Sequence, residues 1–136
     1  MSVLERGGTE SVALRARLAG LSPEEVATCI VCYEEQARGW LAHTARAHRS
    51  AAAEIEAYRL LAANLRVYCD VTVLQYGANA RAQFEQLQQA KVRIGTQDLK
   101  IAAIALSNGA VLLSRNLRDF GKVPGLTVED WTVPLP

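Results

Sequence analysis

No apolar run in this chain approaches the roughly 20 residues that span a bilayer, so no transmembrane helix is expected. The N-terminus also lacks the apolar core of a signal peptide, because Glu5 and Arg6 stand where that core would lie. A cytoplasmic location follows as the expectation. Charge of one sign is missing too: 15 Lys and Arg against 14 Asp and Glu leave a net charge of +1. That balance excludes a protein that grips nucleic acid by bulk electrostatics, but not a nuclease with local contacts. Cysteine is scarce. Three residues, an odd number without an export signal, point to reduced thiols rather than a disulfide framework. Internal repeats, linkers and true low-complexity segments are absent, apart from Ala/Arg enrichment between Leu41 and Ala57.

What remains is an ordinary globular composition, 50% hydrophobic and 21% charged over 136 residues. That length makes one domain, residues 1–136, with a real core but no room for a second.

The stretch Ile94–Asp119 organises the rest. Gly95-Thr96 breaks the preceding pattern, and Thr96 is the expected N-cap of a helix from Gln97 to about Ser107. Leu99, Ile101, Ala102, Ala105 and Leu106 form its apolar face, and Asn108-Gly109 stops it. Ala110–Leu113 is a continuous apolar run, too short for a helix and suited to a strand buried on both faces. The chain then turns polar at Ser114-Arg115-Asn116, with Asp119 three residues on. Helix, buried strand and polar end make one unit of an α/β fold, with polar residues where such folds bind ligands.

Other units repeat the pattern. Val12, Leu14, Leu18 and Leu21 give a rough amphipathic helix, broken by Ser22-Pro23. Val26–Tyr33 reads as a β-branched, apolar strand, and Glu34-Glu35 opens a helix with acidic residues in its first turn. Ser50 leads a long helix from Ala51 to about Leu65, whose stripe Ile55, Tyr58, Leu61 and Leu65 is expected in the core. Val71–Leu74 is a short strand, Ala80–Ala90 a polar helix held by Phe84 and Leu87, and Leu126–Val128 a final strand.

In a parallel sheet, the carboxyl ends of strands and the amino ends of returning helices share one edge. Glu35, Asp98, Asn116 and Asp119 would all lie there. Carboxylates gathered in one crevice repel unless a cation neutralises them, and hard oxygen donors suit Mg²⁺ or Mn²⁺. Such a site can stabilise charge on a phosphodiester. Taken singly, each residue is more often a helix cap or a turn former; convergence at one edge is what gives them meaning.

Other candidates carry less. Cys29-x-x-Cys32 looks like a redox or zinc pair, but inside a strand its spacing would put the two thiols on opposite faces. Zinc would need two more ligands, and Cys69, His43 and His48 form no ligand spacing. Small core residues are the expectation for the pair. His43 and His48 read as solvent-facing, and Arg38, Arg46 and Arg49 as a solvated surface. Arg115 and Lys122, near the polar end, are the better candidates for phosphate contacts.

Several of these pieces together carry a resemblance. They are Tyr33-Glu34-Glu35-Gln36-x-Arg38-Gly39, Gly95-Thr96-Gln97-Asp98-Leu99 with Ile101, and Leu113-Ser114-Arg115-Asn116-Leu117 with Asp119-Phe120. Val123-Pro124-Gly125-Leu126 and Glu129-Asp130-Trp131 extend it across nearly the whole chain. The sequence resembles the PIN-domain ribonucleases, above all the toxins of VapBC-type bacterial toxin–antitoxin pairs. The resemblance implies a three-layer α/β fold, a mostly parallel sheet flanked by helices, and Mg²⁺- or Mn²⁺-dependent cleavage of RNA. It places Glu35, Asp98 and Asp119 on the family's acidic, metal-holding positions and Asn116 where the family has Asp or Asn. Ser114 matches the small hydroxyl residue beside the site. Glu35 is preferred to Glu34 because it stands four residues before Gly39. An antitoxin protein and a second copy of the chain are the implied partners, docking on helices in the regions of Leu4–Leu18 and Ile55–Leu65.

One departure stands out. Family members begin with a central strand ending in an Asp motif, whereas no aspartate here precedes Asp70, and Met1–Glu5 matches the turn after that motif. The first, central strand is therefore expected to be absent. A start codon assigned a few codons late is the favoured account, a true truncation with a crippled metal site the other. The function reading is a metal-dependent endoribonuclease toxin; the alternative is an impaired PIN-like module that binds a partner protein or RNA without cleavage.

Overall fold

A computed structural model describes residues 3–5 and 12–133. Five short strands, β1 (Val3–Glu5), β2 (Val26–Cys29), β3 (Thr72–Leu74), β4 (Val111–Leu113) and β5 (Val128–Glu129), form one sheet in the order β3-β2-β1-β4-β5. Every neighbouring pair is parallel. Parallel neighbours need crossovers, and helices supply them. These are α1 (Val12–Ala19), α2 (Ile30–Arg46), α3 (Ala51–Asp70), α4 (Ala78–Gln89) and α5 (Thr96–Ser107), with a single turn α6 (Leu117–Phe120) after β4.

The centre of the sheet is filled, which corrects the expectation of an absent first strand. Val3 and Leu4 register with Val26 and Ala27, and Val3, Leu4 and Glu5 with Val111, Leu112 and Leu113. Leu4 is fully buried. Its side chain joins the larger core, while its backbone fills the slot between two parallel strands, which rewards any short extended segment that can complete both hydrogen-bond ladders. The strand ends at Glu5, so the carboxylate residue at that point is glutamate rather than aspartate.

The sheet is covered on both faces, as parallel sheets require. Leu112 joins Leu4, Cys29, Phe84, Ile104 and Phe120 in the larger core, whereas Val111 and Leu113 pack with Leu14 and Trp131 on the other side. This alternation along three residues is the period of two of a strand. Against the larger core lies α5, buried at Leu99 and from Ile101 to Ala105. A helix apolar nearly all round belongs in an interior. Its N-cap is Gly95, not Thr96, which is the first helical residue. Its far end closes as expected at Asn108-Gly109: Gly109 takes φ +60°, the amide of Ala110 donates to Ala105 O at 3.0 Å, and that of Gly109 donates to Leu106 O.

Two sequence expectations fail in the second layer. The strand expected to reach Tyr33 ends at Cys29, and α2 begins at Ile30. Val31 and Cys32 stay buried in the first helical turn, so the apolar run continues through the change from strand to helix. The stripe Ile55, Tyr58, Leu61 and Leu65 is not core: Ile55, Tyr58 and Leu65 are 70%, 58% and 54% exposed. The helix α3 instead buries Ala57 and packs against α2, where Tyr33 and Tyr68 meet edge to face at 5.0 Å. Among the described residues no helix is long and apolar enough to cross a membrane.

Candidate metal centre

Because all five strands run the same way, their carboxyl ends share one edge. The helix α2 leaves β2 there and α6 leaves β4 there. The helix α5 runs back to β4, so its amino end returns to the same edge.

Glu35 lies in the second turn of α2 and is half-buried, further into the helix than a strand ending at Tyr33 would have put it. Asp98 lies in the first turn of α5, also half-buried. The two helices touch, and a side-chain bridge ties their opening turns: Gln97 Nε2 donates to Glu34 Oε1 at 2.8 Å. Glu34 Oε2 accepts from Arg38 at 2.7 Å, so both oxygens of Glu34 are engaged in holding the helices. The sequence reading missed this bridge; the signal for its local half was the i, i+4 spacing of Glu34 and Arg38.

The third segment is built locally. Asn116 caps α6: its Oδ1 accepts the amide of Asp119 at 3.2 Å, and its Nδ2 donates to Asp119 Oδ2 at 3.0 Å. Ser114 Oγ accepts the amide of Asn116 at 3.0 Å and fixes the turn. Lys122 Nζ stands 3.7 Å from Asp119 Oδ1. The Asn116 amide, helped by the Lys122 and Arg118 cations, holds the Asp119 carboxyl below the usual aspartate range. Gly121 is needed to close the turn, since a Cβ there would sit 2.6 Å from the carbonyl oxygen of Leu117. Arg115 lines a small recess with Leu14, Asp130 and Trp131.

The structure thus brings Ser114, Asn116, Asp119 and Lys122 together, and it binds the turns that carry Glu35 and Asp98 to each other. Among the described residues, no three His, Cys, Asp or Glu side chains close into a group that holds a metal by itself. The donor chemistry nevertheless suits a hard cation, because the available atoms are carboxylate and amide oxygens. Mg²⁺ keeps several waters and commonly takes only one or two carboxylates, so a closed cage is not what it requires.

Cys29 and Cys32 are not on opposite faces of a strand. Cys29 ends β2 and caps α2, its Sγ accepting the amide of Cys32 at 3.4 Å and lying 3.1 Å from the Cys32 thiol. Both are buried, as core residues should be. The hydrogen bond between them lowers the Cys29 thiol and, with burial, pushes Cys32 well above the usual thiol range.

A family model described as "PIN domain" matches residues 1–126. The chain belongs to the PIN-domain family. Two curated relatives of this PIN domain are a tRNA(fMet)-specific endonuclease VapC of Salmonella typhimurium and a ribonuclease VapC2 of Haemophilus influenzae. The first is 38% identical over 63 residues, 43% of this chain and 48% of the relative. The second is 41% identical over 66 residues, 45% of this chain and 49% of the relative. The chain spans about half the length of the curated relatives it matches. Among solved structures, DNA-bound VapBC from Salmonella typhimurium superposes with a TM-score of 0.72 at 25% identity, covering 96% of this chain and 99% of that one. VapBC-1 from nontypeable Haemophilus influenzae gives 0.72 at 22% identity, covering 97% and 98%. The fold of this PIN domain is therefore the α/β fold that the sequence suggested, with parallel strands and helices on both faces.

Proposed function

We propose that this PIN domain is a divalent-metal-dependent endoribonuclease, the toxin half of a toxin–antitoxin pair acting in the cytoplasm. One observation carries the reading. At the carboxyl edge of an all-parallel sheet, half-buried Glu35 in the second turn of α2 and Asp98 in the first turn of α5 lie on helices that touch, and the Asp119 carboxyl on a third segment is held below the usual aspartate range. Glu35, Asp98 and Asp119 would hold Mg²⁺ or Mn²⁺, directly or through water. The bound ion supplies charge stabilisation on the phosphodiester and makes water more acidic. Asn116 keeps Asp119 ionised and oriented, and Ser114 keeps Asn116 in place. Lys122 and Arg115 offer cations at the polar end of β4 for the phosphates of the substrate.

The relatives named as ribonucleases support the activity, and the VapBC complexes among similar structures support an antitoxin partner. The exposed stripe of α3 agrees. Tyr58, Leu61 and Leu65 line a recess of about 390 Å³ with Tyr33 and Ala37, an apolar surface of the kind that takes a partner's helix. A homodimer would cover apolar surface in the same way.

The test is incubation of the chain with single-stranded RNA in Mg²⁺ or Mn²⁺ and, in parallel, with a chelator. Internal cleavage that the chelator abolishes is expected. A second reading, an RNA- or partner-binding module without cleavage, draws on β1 ending at Glu5 and on the open carboxylate set. It predicts RNA that binds and stays intact in both buffers.

A further inference from the structure

A trough runs along α2 away from the acidic edge. Glu35, Trp40 and His43 line one recess of about 300 Å³. His43 also lines the next, of about 490 Å³, with Arg46, Arg49 and Glu56. Residues 35, 39, 43 and 46 advance by one helical turn at each step, so the two recesses follow one face of α2. The helical rise sets Arg46 about 16 Å from Glu35 along that face.

The chemistry changes along the trough. Its near end is acidic at Glu35. Its middle is aromatic: Trp40 is half-buried, with His43 edge-on to it at 5.7 Å and 87°. Its far end is cationic. On the same two helices Arg38 is paired with Glu34 and Arg59 with Glu56. Arg46 and Arg49 are exposed and have no carboxylate partner among the described residues. The acid that shares their recess, Glu56, gives both oxygens to Arg59. Positive charge therefore stands uncompensated at one end of the trough in a chain whose net charge is only +1.

We propose that this trough is a track for single-stranded RNA, in which Trp40 stacks on an unpaired base and Arg46 and Arg49 hold backbone phosphates. The proposal rests on the reading of this PIN domain as a ribonuclease and says how its substrate leaves the acidic edge. Cations that follow the backbone, with an aromatic face between them, are the means by which single strands are bound without sequence readout. A duplex does not satisfy the arrangement, because its bases are already stacked and Trp40 lies in a recess rather than on a projecting surface.

Binding of a fluorescent single-stranded RNA to the full chain, measured in chelator so that no cleavage intervenes, tests the track. Replacing Arg46 and Arg49 together by Ala should weaken binding about tenfold or more. It should also lower the slope of log affinity against log salt by about 1.4, at roughly 0.7 for each single-strand phosphate contact. Trp40→Ala should cost on the order of tenfold, and Trp40→Phe should recover much of that. With Mg²⁺ present, the same substitutions should raise KM. An Arg46→Ala/Arg49→Ala protein with unchanged affinity and salt slope overturns the track, as does equal weakening for a duplex of the same length. Binding that weakens as expected while Mg²⁺ produces no cleavage leaves the track standing and removes the nuclease reading. Cleavage by the parent chain with no effect of the arginines on KM does the reverse.

Discussion

Replacing Asp98 by Asn separates the two roles this residue can have. Asp98 stands in the first turn of α5, where a carboxylate also stabilises the helix through its dipole. Losing that charge at a partly exposed helix start costs about 0.3–1 kcal/mol. In a chain of this size that lowers Tm by a few degrees at most. The shape of the side chain is unchanged, and α5 is anchored elsewhere, by Leu99 and the buried residues Ile101 to Ala105. If Asp98 holds the cation that stabilises charge on the phosphate, its loss should slow cleavage by about 100-fold or more, about 2.7 kcal/mol of barrier. The two effects therefore differ by well over a kilocalorie and are read separately. A time course of RNA cleavage in Mg²⁺ gives the first, and a thermal melt followed by circular dichroism gives the second. Cleavage at the parent rate in Asp98→Asn would refute the assignment. A melt depressed by tens of degrees would refute the account of α5 as anchored by its buried face.

Three further outcomes follow from the geometry. Phe120 is fully buried in the larger core and ends the turn that carries Asp119, so Phe120→Ala should cost about 3–5 kcal/mol in chemical denaturation; a loss below 1 kcal/mol would show that the core closes over the cavity. The folded-state pKa of Asp119 is depressed, so its contribution to stability is full above the unfolded carboxylate value of about 3.9 and disappears as pH falls through the folded value. Parent and Asp119→Asn should accordingly differ in stability at neutral pH and converge in acid; a constant gap would contradict the Asn116–Asp119 bond. Cys29 and Cys32 are buried and Cys69 is exposed, so a thiol reagent should titrate one group in the native chain and three after unfolding.

The sequence was most legible where one physical signal acted alone. The α5–β4 unit follows from an apolar helix, a glycine that accepts φ +60°, and a short run buried on both faces. The β2–α2 junction was misread because Val26–Tyr33 is apolar on both sides of the change from strand to helix, and the cap that ends the strand is a cysteine sulfur rather than a hydroxyl or carboxylate. No periodicity argument finds such a boundary. The stripe of α3 was misassigned for the opposite reason. Its large residues suggest a core face, but Ala57 is the residue of α3 that is fully buried, and Ile55, Tyr58 and Leu65 are left outside. Size identified an apolar face without saying what covers it. The central strand was overlooked because Val3–Glu5 is too short to register as a strand by pattern; two ready-made neighbouring ladders place it. Of the proposed site, the sheet edge that carries it was legible. The Glu34–Gln97 bridge was not, because it joins residues 63 apart.

That bridge explains how a site spread over three segments can be held. Asn116, Asp119 and Ser114 make a turn that is rigid by its own hydrogen bonds and needs little from the rest of the fold. Asp98 is positioned differently, by a helix buried nearly all round that cannot shift without opening the core. Glu35 depends on α2, which enters the core only at Val31 and Cys32 and is otherwise at the surface. Of the three acids it is the one whose place most needs a cross-link, and Gln97 provides it from the same turn that carries Asp98. Arg38 turns the other oxygen of Glu34 along α2, so one carboxylate ties both helices. Adjacent glutamates that look redundant in the sequence thus differ in the proposed site: Glu34 bridges α2 and α5, and Glu35 would help to hold the ion.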